Sequence, residues 1–282
     1  MRIQLAQGEI QYREVGAGKP IVFVHGALVD GALWNDVVPE ISGYRCIVPD
    51  WPMGSHRTAM ARDADLSPQG MARVVGDFLD ALDLNDVTLV GSDTGGAVCQ
   101  LLCATRPARV ARVVLTNCDA LDVFPPHAFA YLKTVQKIPG LPWIAGKVMR
   151  ASAKQRASKR AYGGLTVKKV DDAILRAWVE PLSSSAIRRD LKKLVVGMDA
   201  ALTTAAAETG WPMPTLLVWG ADDPFFPLAL GERLAAALPD AYLTRVDGAS
   251  TFVSLDQPEA LASHIVRFAS GSHEWRSGRA AR

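Results

Sequence analysis

The string Val87 to Gly96, VTLVGSDTGG, carries the sharpest chemical signal in the chain. A β-rich run ends in Gly91-Ser92-Asp93-Thr94-Gly95, and Ala97 to Ala104 then reads as a helix. Glycines two residues before and two after the centre let the backbone turn tightly, so the spacing predicts a nucleophile elbow with Asp93 at its apex. Ser92 does not fit that place, because the residues two away from it are Val90 and Thr94. Free N–H groups and the dipole at the helix start favour an anion, so Asp93 is expected to remain a carboxylate at neutral pH. A carboxylate attacking an acyl group would form an anhydride. Attacking an alkyl carbon, it displaces a leaving group and forms an ester. The alternative is a glycine-rich turn that serves structure alone.

His25-Gly26-Ala27 directly follows the apolar run Ile21 to Val24. With the elbow, it gives nearly the whole chain a resemblance to the α/β-hydrolase fold, and the apical aspartate is similar to the branch of haloalkane dehalogenases and epoxide hydrolases. The resemblance implies an oxyanion hole made by the backbone N–H groups of Ala27 and Thr94. It makes His25 mainly structural, and a candidate substrate contact. In LLVWGADDPFFP it places the acid three residues after Gly220, at Asp223, whose alternative role is a turn or helix cap.

The same resemblance calls for a histidine after the last strand, in a pattern like Gly-x-x-His. Here Val246 to Phe252, VDGASTF, places Thr251 there, while the adjoining Gln257-Pro258-Glu259 still fits. A threonine hydroxyl is too weak a base to activate water at pH 7, and loss of that base costs roughly 10²- to 10⁴-fold in the assisted step. His56, in a loop expected at the C-terminal side of the sheet, is the candidate replacement base. His127, Asp119 and Tyr131 are candidate substrate contacts with Thr251, and Tyr162 is a second tyrosine available from the same region. His264, in the last helical stripe, and His273, in the tail, are less well placed. Two features depart from the named activities: Thr94 stands where dehalogenases usually carry tryptophan, and Ala27-Leu28 replaces the residue-then-proline usual in epoxide hydrolases.

These residues need a scaffold. Apolar runs at Ile21 to Val24, Cys46 to Val48, Val87 to Val90, Val110 to Leu115 and Thr215 to Trp219 alternate with helical text. That pattern predicts an α/β fold, a mostly parallel twisted sheet with helices on both faces. Gln4 to Val15 alternates around Gly8 as an antiparallel hairpin, and Met71 to Leu82 carries an amphipathic stripe started by Ser67-Pro68. From about Asp119 to Pro212 the strand signal stops. The chain therefore divides into a core of residues 1–120 and 208–269, a helical cap at 121–207 inserted between two strands, and a tail at 270–282. Gly16 to Pro20 is a turn, since it lacks the features of a phosphate loop.

The 282 residues are 49% apolar, with 31 basic and 29 acidic side chains and a net charge of +2, which excludes disordered and strongly charged polymers. Residues 121–200 hold 15 Lys and Arg against 6 Asp and Glu, a balance of +9, and the rest holds 16 against 23, or −7. Either the two parts attract each other and present solvated faces, or a basic lid draws in an anionic substrate. No run approaches the ~20 apolar residues of a membrane helix and no secretory signal is visible, so a cytoplasmic protein is expected. Cys46, Cys99, Cys103 and Cys118 show no CxxC pair and are expected as core filler. No cofactor, metal, nucleic-acid or membrane partner is implied; the expected partner is a small-molecule substrate, and the oligomeric state is open. The function expected is hydrolysis of a small, largely apolar epoxide, haloalkane or ester, with Asp93 as nucleophile or general base. The alternative is an isomerase, lyase or cyclase, or a binding homologue without turnover.

Overall fold

Strands β1 (Arg2–Leu5) and β2 (Gly8–Val15) pair antiparallel, with Leu5 opposite Gly8, as the hairpin predicted at the N-terminus. A computed structural model describes residues 1–105 and 107–271. It adds β3 (Lys19–Val24), β4 (Tyr44–Pro49), β5 (Val87–Asp93), β6 (Val110–Cys118), β7 (Thr215–Gly220) and β8 (Ala241–Val246) to one sheet of eight strands. The spatial order is β1-β2-β4-β3-β5-β6-β7-β8. β2 meets β4 antiparallel, and every pair beyond it is parallel. Strands covered on both faces need apolar side chains on both, which is why Ile21 to Val24 reads as an unbroken apolar run and Val87 to Val90 is interrupted by Thr88 alone, all of them buried.

The sheet grows in opposite directions from β3, with β4 on one side and β5 on the other. Loops leaving the carboxyl ends of β3 and β5 therefore diverge and open a crevice at that edge, the usual ligand position in such sheets. Ala27 follows β3 and Asp93 ends β5.

Around the sheet lie α1 (Pro68–Ala81), α2 (Thr94–Thr105), α3 (Tyr131–Lys137), α4 (Leu141–Ala151), α5 (Ala153–Arg156), α6 (Asp172–Val179), α7 (Ser185–Gly197), α8 (Ala200–Thr209), α9 (Leu228–Ala237), α10 (Val253–Asp256) and α11 (Pro258–Ala269). Ser67 caps α1 by accepting from the Gly70 N–H, and Pro68 occupies its first turn. The α1 stripe buries Phe78 edge-on against Tyr12 and Trp51 at 5.4 and 5.2 Å, contacts that contribute about 0.5–1.5 kcal/mol each beyond area burial. Helix α2 starts at Thr94, earlier than the predicted Ala97, because Gly95 and Gly96 form its first turn against β3 and β6.

Among the described residues between β6 and β7 there is no strand, only helices α3 to α8, three short 3-10 helices and an isolated bridge between Ala120 and Val123. Helix α8 spans the expected boundary at 207 and packs against α2. The helical stretch is tied to the sheet by Trp178, whose indole N–H donates to Asp30 Oδ1 at 2.8 Å while its carbonyl accepts from Ser55 Oγ at 2.8 Å. A second tie is Asp256, which accepts from the Val167 N–H at 2.9 Å and the Lys168 N–H at 2.8 Å. Across this seam Arg233 of the core pairs with Asp122 of the insert at 2.8 Å, the reverse of the attraction expected between a basic insert and an acidic core, and Arg57–Asp30 (3.5 Å) lies within the core. All four cysteines are buried and free. Among the described residues no helix is long and apolar enough to cross a membrane. Of the expected tail, Ser270 and Gly271 follow α11, while residues 272–282, with His273, lie outside the described residues.

Candidate active site

Asp93 takes a left-handed conformation, φ +53°, at the junction of β5 and α2. For a residue with a Cβ this costs about 1–2 kcal/mol, and the surroundings impose it. Three glycines make the turn possible by absence of a side chain. A Cβ on Gly95 would overlap the carbonyls of Val24 and His25, and one on Gly26 would overlap the Asp93 carboxylate. On Gly91 it would lie 2.7 Å from Cys99 Sγ and 2.9 Å from Gly96 Cα. The elbow is thus pressed against the end of β3, and the backbone N–H groups of Thr94 and Ala27 both bond the Asp93 carboxylate.

Those two bonds favour the charged form, and two influences oppose them. Burial, chiefly, and the charge of Asp223 push the Asp93 carboxyl up to about 7. The permanently ionised carboxylate expected from the helix dipole is corrected accordingly: at neutral pH Asp93 stands near its midpoint, because desolvation outweighs the amides of the elbow.

Asp119 stands one residue past Cys118, the neighbour of Asp93 across the β5–β6 ladder. Its side chain is buried; Oδ2 accepts from Thr94 Oγ1 at 3.2 Å, and Oδ1 has no donor in the protein. Gln100 Nε2 fixes its backbone by donating to the Asp119 carbonyl at 2.7 Å. Burial, then the charge of Asp93, push this carboxyl well above the ordinary range.

Asp223 accepts from the N–H groups of Phe225 (2.7 Å) and Phe226 (3.1 Å) through Oδ1, and from Thr251 Oγ1 (2.9 Å) through Oδ2. Burial pushes it up to about 6 against the pull of these bonds. Asn117, at the end of β6, ties this corner together: its Oδ1 accepts from the Gly220 N–H at 2.6 Å and its Nδ2 donates to the Gly220 carbonyl at 3.0 Å. The local sequence offers only a weak signal for Asn117, a fully buried polar residue next to the carboxyl end of β6.

A cavity of about 350 Å³ opens over the elbow, within the ordinary range for small-molecule sites. Ala27, Asp93, Thr94 and Asp119 line it from the sheet, and side chains such as Leu132, Ile144, Val148 and Leu182 line it from the helical stretch. Its wall is overwhelmingly apolar. Gln136 Oε1, buried in that wall, has no donor in the protein. Arg160 and Arg188 of the insert border the cavity, Arg188 with its guanidinium committed to the carbonyls of Leu182 and Ser183.

Of the residues singled out from sequence, Asp93, Thr94, Ala27, Asp119 and Tyr131 share this cavity, Tyr131 half-exposed at its rim. Asp223 and Thr251 lie behind Asp93 and do not line it. No histidine among the described residues reaches it, which corrects three expectations. His56 is held between the Gly54 N–H and Asp190 Oδ2, each at 3.3 Å, the second a contact with α7. His25 is buried, its Nε2 accepting from the Trp51 N–H at 2.8 Å and its Nδ1 facing the Gly26 carbonyl at 2.8 Å, so it supports the loop after β3. His127 is exposed in the turn before α3, outside the cavity between its lining neighbours Pro126 and Phe129. Thr251 is likewise fully buried against Asp223 and away from the cavity. Tyr162 lines the cavity with its hydroxyl donating to the Leu28 carbonyl.

This arrangement, a strained acidic elbow beneath a helical insert on a mostly parallel sheet, is that of the alpha/beta hydrolase fold, whose family match covers residues 19–258. The chain belongs to that family. It is similar to haloalkane dehalogenase 2 of Mycobacterium tuberculosis (strain ATCC 25618 / H37Rv), 27% identical over 269 residues that cover 93% of this chain and 91% of the relative. It is also similar to the non-heme chloroperoxidase CPO-A1 of Kitasatospora aureofaciens, 27% identical with 88% and 90% covered. Among solved structures, an alpha/beta hydrolase fold protein from Burkholderia ambifaria superposes with a TM-score of 0.76 at 21% identity, with 94% and 96% covered. A thermophilic esterase from Thermogutta terrifontis superposes at 0.74 and 20%, with 97% and 99% covered. At such identities the superpositions speak for the fold.

Proposed function

We propose that the protein hydrolyses a small, uncharged, largely apolar substrate with Asp93 as its nucleophile. One observation carries this reading: the Asp93 carboxylate faces an apolar cavity of about 350 Å³ while accepting the N–H groups of Thr94 and Ala27. Asp93 attacks an alkyl carbon, the leaving group departs, and an alkyl ester of Asp93 results. Water then adds to the ester carbonyl, and the Thr94 and Ala27 N–H groups stabilise the oxyanion that develops there. Residues 121–207 act as the cap that walls the substrate from bulk water. The similarity to a haloalkane dehalogenase supports displacement at carbon followed by hydrolysis, and favours it over the isomerase, lyase, cyclase and binding-protein alternatives.

The test is a single turnover in H₂¹⁸O with a panel of epoxides and haloalkanes. The expected result is ¹⁸O in the Asp93 carboxyl, and no turnover by Asp93→Asn. Turnover with unlabelled Asp93, or an Asp93→Asn variant as active as the wild type, overturns the reading.

A further inference from the structure

The ester-forming scheme leaves two proton transfers without an agent, since no described histidine reaches the cavity and Thr251 is turned to Asp223. The Asp119 carboxyl lines the same cavity as Asp93, is only 1% exposed, and keeps Oδ1 free of any protein donor. Its other oxygen is fixed by the Thr94 hydroxyl, the residue whose N–H holds Asp93. A buried carboxyl in the cavity lining, with one oxygen oriented by Thr94 and the other buried without a donor, is placed to exchange a proton with a molecule bound against it.

We propose that Asp119 is the acid and then the base of the reaction, and that the substrate is accordingly an epoxide carried on an apolar group. The inference rests on Asp93 as nucleophile. In the first step an Asp93 oxygen bonds to one epoxide carbon, the carbon–oxygen bond of the ring breaks, and the ring oxygen takes the proton from Asp119. The products are a hydroxyalkyl ester of Asp93 and an ionised Asp119. In the second step Asp119 takes a proton from the water that adds to the ester carbonyl. The diol leaves, Asp93 returns as carboxylate, and Asp119 is again protonated. Protons and charge balance over the cycle with no external donor.

Two features favour this substrate class over a halide. A departing halide needs N–H or O–H donors, yet the residue after the nucleophile is Thr94, whose hydroxyl is spent on Asp119. The polar atom without a protein donor beside Thr94 belongs to the Asp119 carboxyl, which in its ionised form repels an anion and in its protonated form serves a basic oxygen. Burial and the neighbouring charge of Asp93 both favour the protonated form of Asp119 before reaction, so the acid is in the required state when substrate binds. The opening of the ring withdraws that charge as Asp93 becomes an ester, and the ionised Asp119 is then a stronger base than an exposed carboxylate.

The experiment compares wild type, Asp119→Asn, Asp119→Glu and Asp93→Asn with styrene oxide, 1,2-epoxyhexane and 1-bromohexane, following diol, hexanol and intact protein mass. Bromohexane alkylation needs no proton from Asp119, so the expected result is that Asp119→Asn slows epoxide opening far more than bromohexane alkylation, and that Asp93→Asn is alkylated by none of the three compounds. With the epoxides, Asp119→Asn is expected to open the ring roughly 10²- to 10⁴-fold more slowly and to retain whatever ester it forms, while Asp119→Glu recovers part of both steps. Folding of each variant is followed by thermal melting. An Asp119→Asn variant that forms diol at the wild-type rate, or a wild type that converts bromohexane but neither epoxide, overturns the Asp119 proposal and leaves Asp93 standing. Alkylation or turnover by Asp93→Asn, or no reaction of wild type with any of the three compounds, overturns the nucleophile and the proposal with it.

Discussion

Thr251 Oγ1 donates to Asp223 Oδ2 at 2.9 Å, so the acid keeps a hydrogen-bonded partner at the position where the fold's relatives are expected to carry histidine. The hydroxyl conserves a contact and discards a base. Asp223 is thereby left as a buried charge that acts on Asp93 through space, without a ring to orient.

That action can be read in a pH profile. Ionised Asp93 is the attacking form, and burial with the charge of Asp223 pushes it up to about 7. The rate of adduct formation with 1-bromohexane should therefore rise with pH through a midpoint near that value. A profile flat from pH 5 to 9 would contradict it.

Thr251→Val removes the donor without changing shape in a fully buried place. Asp223 Oδ2 is left unsatisfied, at a cost of about 1–3 kcal/mol in urea unfolding, and Asp223 moves above its value of about 6. A neutral Asp223 no longer repels the Asp93 carboxylate, so the alkylation midpoint shifts to lower pH. Thr251→Ser should leave both readouts close to wild type.

Asp93→Asn should stabilise the protein, and only at higher pH. The folded carboxyl binds its proton more tightly than an unfolded one near 3.8, so its contribution is fully present below pH 3.8 and is lost as pH rises through about 7. At pH 8 the variant is expected to exceed wild type by on the order of 1–3 kcal/mol, and at pH 4 to match it, as measured by urea titration. Equal stabilities at pH 8 would show that the ionised carboxylate carries no penalty.

His56 should prove structural. Asp190 on α7 accepts from the Met60 N–H at 2.9 Å, from Arg189 at 2.7 Å and from His56 at 3.3 Å, so it anchors the insert to the loop after β4. Asp190→Asn is expected to lose about 2–4 kcal/mol in thermal and urea unfolding, since buried polar partners are left without their acceptor. His56→Gln should leave alkylation and ester hydrolysis within about threefold of wild type. A larger loss of ester hydrolysis would restore it as the base.

What the sequence disclosed follows from how far each signal reaches. The strands, the amphipathic α1 and the elbow are written in spacing over a few residues, and they appear in the structure where the glycines and apolar runs put them. The place of Asp119 was also readable, as a polar residue just past a buried strand. The state of Asp93 was not, because desolvation depends on what the helices between β6 and β7 lay over it. The same holds for His56: its loop reaches the correct end of the sheet, but only the packing of α7 shows that Asp190 claims the ring. Asn117 went unread for a different reason, since its partners Gly220 and Phe226 are more than a hundred residues away.

The three carboxyl groups of this site share one end of the sheet, and among the described residues no lysine or arginine forms an ion pair with any of them. Whichever of them is ionised at a given pH therefore keeps its charge uncompensated at the floor of the cavity, where it works against any guest that brings a negative charge of its own.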